Sequence, residues 1–529
     1  MKLLLLLSLV SHFAYTLWTL KKALHILQLN SYRNSRYSRW IQKNALKTIR
    51  PTEFLPGVAI PLWFFGLSLI SSVVWIACYL LLLLIRTETP EKKPFVWTSR
   101  VKRLFAATLL LLAALSTAAF YIVWNAQTVY ISLTVFVILM LISAFSVSLV
   151  WLANLLMAPL EKSINSWYFN DARQRLKDMP NLTVIGITGS YGKTSTKYIL
   201  NQILSEKFHV LSTPESYNTP MGVTKVIRTS LKPIHEILIA EMGAKQNGDI
   251  KELCQLVSPQ IGILTAVGEQ HLETFKTLEN IKRTKYELID SLPDNGLAVL
   301  NGDNPHIREL PPPKVKTIYY GIESNGLQTV ADNLQLTSQG SLFTVRQPEG
   351  NRLTLQTKLL GQHNIYNILA AVSVARELGV DTETISYVVR NLAPIPHRLE
   401  LKRSSKEVTI IDDAFNSNPI GAKMALEVLF NMAGNQKILV TPGMVELGAK
   451  EYELNKAFGI EASEVCDYII LVGQQQTAPI QQGLKAKNYS PNNYYIAKDF
   501  SDARQHLQTI AQTGDVVLFE NDLPDTYNE

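Results

Sequence analysis

The sequence predicts an amino-terminal helical membrane region followed by two α/β domains. Three observations carry that prediction. Residues 3–20, 55–85, 104–124 and 128–158 contain no Asp, Glu, Lys or Arg, and each approaches or exceeds the roughly 20 apolar residues a helix needs to cross a bilayer. From residue 182 the pattern changes to short β-branched runs alternating with helical spacings, which argues for parallel sheets covered on both faces. Pro394-Ile395-Pro396 separates two such blocks. The expected division is 1–165, a membrane region with about four apolar segments; 166–394, a first α/β domain; and 395–529, a second, smaller one.

The first apolar segment begins MKLLLLLSLV, a charged start and an apolar core. No small-residue cleavage site follows and further apolar spans do, so it reads as a retained helix and not as a signal peptide. Residues 21–54 carry Lys21, Lys22, Arg33, Arg36, Arg39, Lys43, Lys47 and Arg50 against the single acid Glu53, and 86–103 is basic too. The positive-inside rule puts both loops in the cytoplasm. Four simple crossings cannot satisfy that, so either 55–85 dips in and returns or one span is not a crossing. Lys162, Arg173, Arg175 and Lys177 follow the last span, which places the remainder of the chain on the cytoplasmic side of a multi-pass protein of the cytoplasmic membrane. The formal charge of +7 is therefore mostly membrane-flanking charge facing lipid headgroups, and no nucleic-acid partner is read from it. Cys78, Cys254 and Cys466 are far apart, a spacing that suggests neither a disulfide framework nor a zinc site.

In the first α/β block, LTVIGIT (182–188), EILIAEM (236–242), IGILTAV (261–267) and LAVL (297–300) read as buried strands. Ile199, Leu200, Ile203 and Leu204 give the face of a helix between the first two. Residues 326–360 read as a shorter, more antiparallel patch, followed by a helix at about 363–378. In the second block, 408–413, 437–443, 468–473, 493–496 and 515–520 are the expected strands.

The chemistry starts at Gly189-Ser-Tyr-Gly-Lys-Thr-Ser195, which follows a buried strand and opens a helix. That context suits a phosphate: backbone N–H groups and the positive helix end face the anion. Gly189 and Gly192 allow close backbone approach, Lys193 reaches terminal phosphates, and Thr194 is placed to hold a magnesium ion. The usual phosphate loop has four residues between its first glycine and Gly-Lys-Thr/Ser, whereas Ile187 stands where that first glycine belongs.

The shortened loop, Thr188-Gly-Ser-Tyr-Gly-Lys-Thr-Ser195, resembles the ATP loop of the Mur ligases, the family that forms peptidoglycan peptide bonds. Separated motifs carry the same resemblance over residues 180–529: EMGAKQNGDI after Glu241, His271 in TAVGEQHLETF, Lys285 in IKRTKYEL, GQHNIYNILAA at 361–371, His397-Arg398-Leu399-Glu400, Asp412-Asp413, DDAFNSNP at 412–419 and PGMVELG at 442–448. The resemblance implies a central ATP-binding domain of phosphate-loop type and a Rossmann-like carboxy-terminal domain. It implies ATP contacts from Gly189, Ser190, Gly192, Lys193, Thr194, Ser195, Asn364, Asn367, Arg398 and Asp413. Two Mg2+ ions on Thr194, Glu241 and His271 follow from it, with Lys193, His271 and a carbamylated Lys285 as catalytic groups. Asn218, Thr219, Asn416 and Asn418 are the implied substrate contacts. The implied reaction is ATP-dependent amide formation through an acyl phosphate, and DDAFNSNP points to the branch that adds D-alanyl-D-alanine.

Two departures bear on the partners. The family's soluble uridine-gripping amino-terminal domain has no counterpart before residue 180, where the apolar region stands. The Lys-Gly-Ser usual after the last strand is replaced by Glu520-Asn521-Asp522. The acceptor is thus either a UDP-linked or a lipid-linked cell-wall precursor, the amine an amino acid or dipeptide, and a ligase making a poly-amino-acid is the close alternative. A membrane ATP-binding scaffold or sensor that does not ligate is the alternative of another class.

Overall fold

The computed structural model describes residues 2–522 except 45–48, 86–93, 126–127, 215–216, 347–351, 405–406 and 416. Lys47, residues 86–93 of the basic 86–103 stretch and residues 126–127 of the 125–127 turn therefore lie outside the described residues. The chain forms two compact units, Met1–Ser166 and Trp167–Leu523.

The first unit is helical. Leu3–Leu29, Ser99–Trp124 and Ser146–Lys177 are the helices long and apolar enough to cross a membrane among the described residues; Ser68–Leu84 and Tyr130–Ala144 are apolar but shorter. Two of the four expected segments are not single helices. Residues 55–85 break into a 3-10 helix Pro51–Val58 and α-helices Ala59–Phe64 and Ser68–Leu84. Pro56 and Pro61 remove backbone donors, and Gly66 adopts φ +79°, a turn that a side chain would resist. Residues 128–158 divide at Phe145, between helices Val129–Ala144 and Ser146–Lys177. Inside the unit, Tyr15 Oη donates to Glu53 Oε2 at 2.6 Å, and Arg103 holds Glu161 through two bonds of 2.7 and 2.8 Å.

The second unit is built on two mixed sheets. The first contains β1 Thr183–Thr188, β2 Val210–Ser212, β3 Ile237–Glu241, β4 Ile261–Leu264, β5 Leu297–Asn301, β6 Lys316–Gly321, β7 Thr329–Thr337, β8 Gly340–Arg346 and β9 Arg352–Thr357, in the order β2-β3-β1-β4-β5-β6-β7-β8-β9. Pairing is parallel from β2 to β7 and antiparallel for β7–β8 and β8–β9. The second contains β10 Glu400–Arg403, β11 Thr409–Asp413, β12 Lys437–Thr441, β13 Tyr468–Val472, β14 Tyr494–Ala497 and β15 Val516–Glu520, in the order β10-β11-β15-β12-β13-β14. Only its β10–β11 pair is antiparallel. The antiparallel edge of the first sheet falls within the 326–360 patch expected to be antiparallel, whereas the antiparallel strand β10 at the edge of the second was not expected. In each, a single parallel core carries antiparallel strands at one edge.

Strand alternation divides the first core. Ile185, Ile187, Ile239, Ile263 and Val299 pack on one face with Ile199, Leu200, Ile368 and Leu369, from helices Lys193–Ser205 and Gln362–Glu377. Val184, Leu238, Ala240, Ala298 and Leu300 pack on the other with Leu253, Ile281 and Leu288, from helices Asp249–Val257 and Leu278–Asp290. Each fully buried Ile or Leu contributes ~1.5–3 kcal/mol relative to exposure. That packing holds the carboxyl ends of β1, β3 and β4 side by side, where ligands bind in open α/β sheets.

Candidate functional site

The loop after β1 is shaped by two glycines that no other residue could replace without strain. A Cβ at Gly189 would stand 2.0 Å from Thr265 Oγ1, and one at Gly192 (φ +83°) 2.7 Å from Asn367 Oδ1. Ser190 is fixed on both sides: its Oγ donates to Gly268 O and accepts from Gly268 N, each at 3.0 Å. Gly192 caps the helix Lys193–Ser205. The first turn of any helix has N–H groups without an intrahelical acceptor, so this cradle fits an anion. Lys193, Thr194 and Ser195 form that turn. Lys193 Nζ donates to the loop carbonyls of Gly189 at 2.6 Å and Ser190 at 3.2 Å. Burial, with the repulsion of Arg398 added and the attraction of Glu241 opposing, pushes its pKa down to about 8.

Glu241 ends β3 and is 1% exposed. Lys197 Nζ sits 3.0 Å from its Oε2, and Asn218 Nδ2 donates to its Oε1 at 3.0 Å. Burial raises the Glu241 carboxyl, but Lys197, Lys193 and Asn218 outweigh it and hold the group below the ordinary carboxylate range. Lys285, on helix Leu278–Asp290, is 2% exposed and makes no hydrogen bond or ion pair among the described residues. Burial and then the nearby Lys193 cation force its pKa well below the ordinary lysine value, against the pull of Asp249, Glu241 and Glu287.

His271 adopts φ +53° at the start of the short helix Leu272–Phe275. Its Nδ1 bonds Glu446 Oε2 from the loop after β12, and Lys245 Nζ approaches the other carboxylate oxygen at 3.0 Å. Burial lowers the His271 pKa more than Glu446 raises it.

The remaining predicted residues divide into two sets. Arg398 donates to Phe415 O at 2.6 Å and feels Asp413, Glu241 and Glu520. It thus shares a field with Lys193 and Glu241. Asp413 and Glu520 are opposite one another in the β11–β15 register. Burial raises the Asp413 carboxyl against the pull of Arg398 and a hydrogen bond with Glu520, while burial and then the Asp413 charge push Glu520 far above its usual value, and Ser417 donates to Glu520. The second set is engaged with the protein itself. Asn367 Nδ2 donates to Asn364 Oδ1 at 3.2 Å, Asn364 Nδ2 to Leu360 O at 2.9 Å, and Thr196 Oγ1 to Asn367 Oδ1 at 3.2 Å, a chain that ties two helices together. Thr219 and Asn418 are helix N-caps, accepting from Gly222 N and Gly421 N. Asn416 lies outside the described residues.

Lys197, Lys245 and Glu446 were not among the residues expected at the site. Lys197 sits one helical turn after Lys193 on a face of otherwise core residues, which is a readable signal. His363 was missed as well. It is held neutral by burial and the Arg398 cation, with a pKa of about 4, and its Nδ1 has no hydrogen-bond partner among the described residues.

A strand-to-helix phosphate cradle with an acid, a histidine and an unpaired buried lysine around it matches known proteins. Residues 187–375 match the Mur ligase middle domain, and residues 397–520 the Mur ligase glutamate ligase domain. This chain belongs to the Mur ligase family. It is thereby placed among the ATP-dependent ligases that form amide bonds. A relative from Bacillus subtilis, UDP-N-acetylmuramoyl-tripeptide–D-alanyl-D-alanine ligase, is 29% identical over 339 residues, 64% of this chain and 72% of that one. The Escherichia coli protein of the same name is 30% identical over 299 residues, 56% of this chain and 65% of its own. Among solved structures, the MurF ligase of Thermotoga maritima in complex with ADP has a TM-score of 0.61 at 28% identity, covering 69% of this chain and 81% of that one. MurF from Acinetobacter baumannii has a TM-score of 0.62 at 25% identity, covering 69% and 78%. Both Mur ligase matches begin after residue 186, so the apolar helices lie outside them.

Proposed function

We propose that this Mur ligase joins the carboxylate of a muramoyl-peptide precursor to the amine of D-alanyl-D-alanine, using ATP, from the cytoplasmic face of a membrane. The observation that carries the reading is the meeting of Lys193, Glu241, Lys285 and Arg398 in one buried field at the carboxyl ends of β1 and β3. The relatives' printed substrates support the amine and the precursor. The three long apolar helices support the membrane. The division into 1–165, 166–394 and 395–529 belongs to the same reading.

Each group has a task. The backbone from Gly189 to Ser195 and the Lys193 ammonium take the ATP phosphates, and Arg398 and Asp413 contact the nucleotide. The donor set fits divalent ions: the Thr194 hydroxyl for one, Glu241 and His271 for a second, with hard oxygen ligands preferred. Such ions neutralise charge on the phosphates during transfer. Lys285 suits carbamylation because a neutral, unpaired, buried amine is the form that attacks CO2; the nitrogen loses one proton as the N–C bond forms, and the carbamate product is an anion that would suit a site holding divalent ions. The acceptor carboxylate attacks the γ-phosphorus, ADP leaves, and the resulting acyl phosphate is attacked by the amine with loss of phosphate. Little covalent work falls on the protein, so positioning and charge neutralisation supply most of the rate. Asn218, Thr219, Asn416 and Asn418 remain the proposed substrate contacts, with the oxygens of Thr219 and Asn418 already committed to helix caps.

A second reading, a lipid-linked precursor as acceptor, is favoured by the long apolar helices that precede the Mur ligase matches. The deciding experiment is phosphate release by detergent-purified full-length protein with ATP, UDP-linked muramoyl tripeptide and D-Ala-D-Ala, each also omitted in turn. Release that needs both, with the joined pentapeptide detected, supports the first reading. Release only when the tripeptide is lipid-linked supports the second, and ATP binding without release under any combination refutes ligation of these substrates.

A further inference from the structure

We propose that Glu446 is a positioning residue for His271, holding its Nδ1 so that Nε2 is the atom presented to a divalent cation. The inference rests on the metal reading of His271 and extends it to a residue on the other sheet of the unit. Three observations carry it. His271 and Glu446 are both non-glycine residues in the left-handed region, at φ +53° and +63°, a conformation that persists only where surrounding contacts impose it. The two strained residues face one another, and each spends its side chain on the other. Glu446 is itself anchored, by Lys245 Nζ on its second oxygen at 3.0 Å and by its own carbonyl, which accepts from Glu273 N at 3.2 Å.

Nε2 of His271 makes no hydrogen bond among the described residues, so the ring is fastened at one nitrogen and open at the other. Histidines that bind metals nearly always present their second nitrogen to a carboxylate or carbonyl, which sets tautomer and ring orientation. The neighbouring Lys450 provides a contrast: it binds Glu269 at 2.5 Å, holding the same loop without touching the imidazole. A mere latch between loops would use Lys450 and Glu446 alike, whereas a positioning residue would not.

The test titrates Mn2+ into full-length protein with a non-hydrolysable ATP analogue, following free Mn2+ by electron paramagnetic resonance. Glu446→Ala is expected to weaken the lower-affinity Mn2+ site by about 10- to 100-fold. Glu446→Gln recovers most of the loss, because the amide oxygen still accepts from Nδ1–H, and Lys450→Ala leaves both sites at parent affinity. Glu446→Leu, which keeps the volume, replaces the alanine variant if that one does not fold. Parent-like Mn2+ affinity in Glu446→Ala, or in Glu446→Leu used in its place, with the site lost in His271→Ala, overturns the positioning role alone. Two intact Mn2+ sites in His271→Ala overturn the metal reading of His271 and this inference with it.

Discussion

Replacing Lys197 by methionine keeps the stem's volume and removes the ammonium that lies 3.0 Å from Glu241. The two side chains are 6% and 1% exposed, so neither charge is relieved by water. Removing one partner of a buried pair leaves an uncompensated charge and costs about 3–5 kcal/mol. Asn218 still donates to the other oxygen, and Lys193 still contributes attraction, which puts the expected loss at the lower end, about 3 kcal/mol. Calorimetry of the detergent-purified full-length protein reads it as a lower melting temperature for the Trp167–Leu523 unit. Adding Glu241→Gln to Lys197→Met should recover a large part, since the orphaned charge is then gone. Magnesium should raise the melting temperature of the Lys197→Met protein more than that of the parent, because the cation no longer competes with an ammonium for the carboxylate. A loss below about 1 kcal/mol, or strict additivity in the double variant, refutes the argument that Lys197 is what keeps a buried Glu241 ionised.

Protonated Lys193 is the form that holds phosphate, and its pKa stands near 8 in the free protein. An anion raises that pKa, so ATP binding above pH 8 should take up a proton, seen as a buffer-dependent enthalpy in titration calorimetry; no buffer dependence at pH 8.5–9 contradicts it. The same depressed value means that folding is opposed by Lys193 below its unfolded pKa, with the penalty growing as pH falls toward 8 and constant beneath it. Lys285→Ala should retain ATP affinity and lose ligation, with partial recovery on adding short carboxylic acids; full ligation without additives removes Lys285 from the chemistry. Gly192→Ala should lower ATP affinity at least tenfold, as its new methyl meets Asn367 Oδ1 at 2.7 Å and its φ is strained; an unchanged equilibrium-dialysis constant rejects the cradle.

The parallel cores were legible because their strands are buried on both faces and so read as unbroken β-branched runs. β2 was not, since Val210–Ser212 is three residues long and half-buried. β6, Lys316–Gly321, alternates exposed and buried positions and hides behind the three prolines at 311–313. The phosphate loop declared itself through two glycines whose need is steric and local. Glu446 lies in the PGMVELG motif, but its task could not be read there, because it is defined by a partner 175 residues away. The helix break at Phe145 had no signal at all: Ser-Ala-Phe-Ser contains neither proline nor glycine.

β15 is the last strand among the described residues, yet it lies between β11 and β12 and pairs with both. Until residue 520 has been synthesised, β11 and β12 have no neighbour on their inner sides, and two apolar edges stay open to other chains. The second sheet therefore cannot close while the ribosome is still translating it. A premature stop anywhere before residue 516 would remove the middle of that sheet and not its margin. Only a chain translated through β15 can bury Asp413 against Glu520.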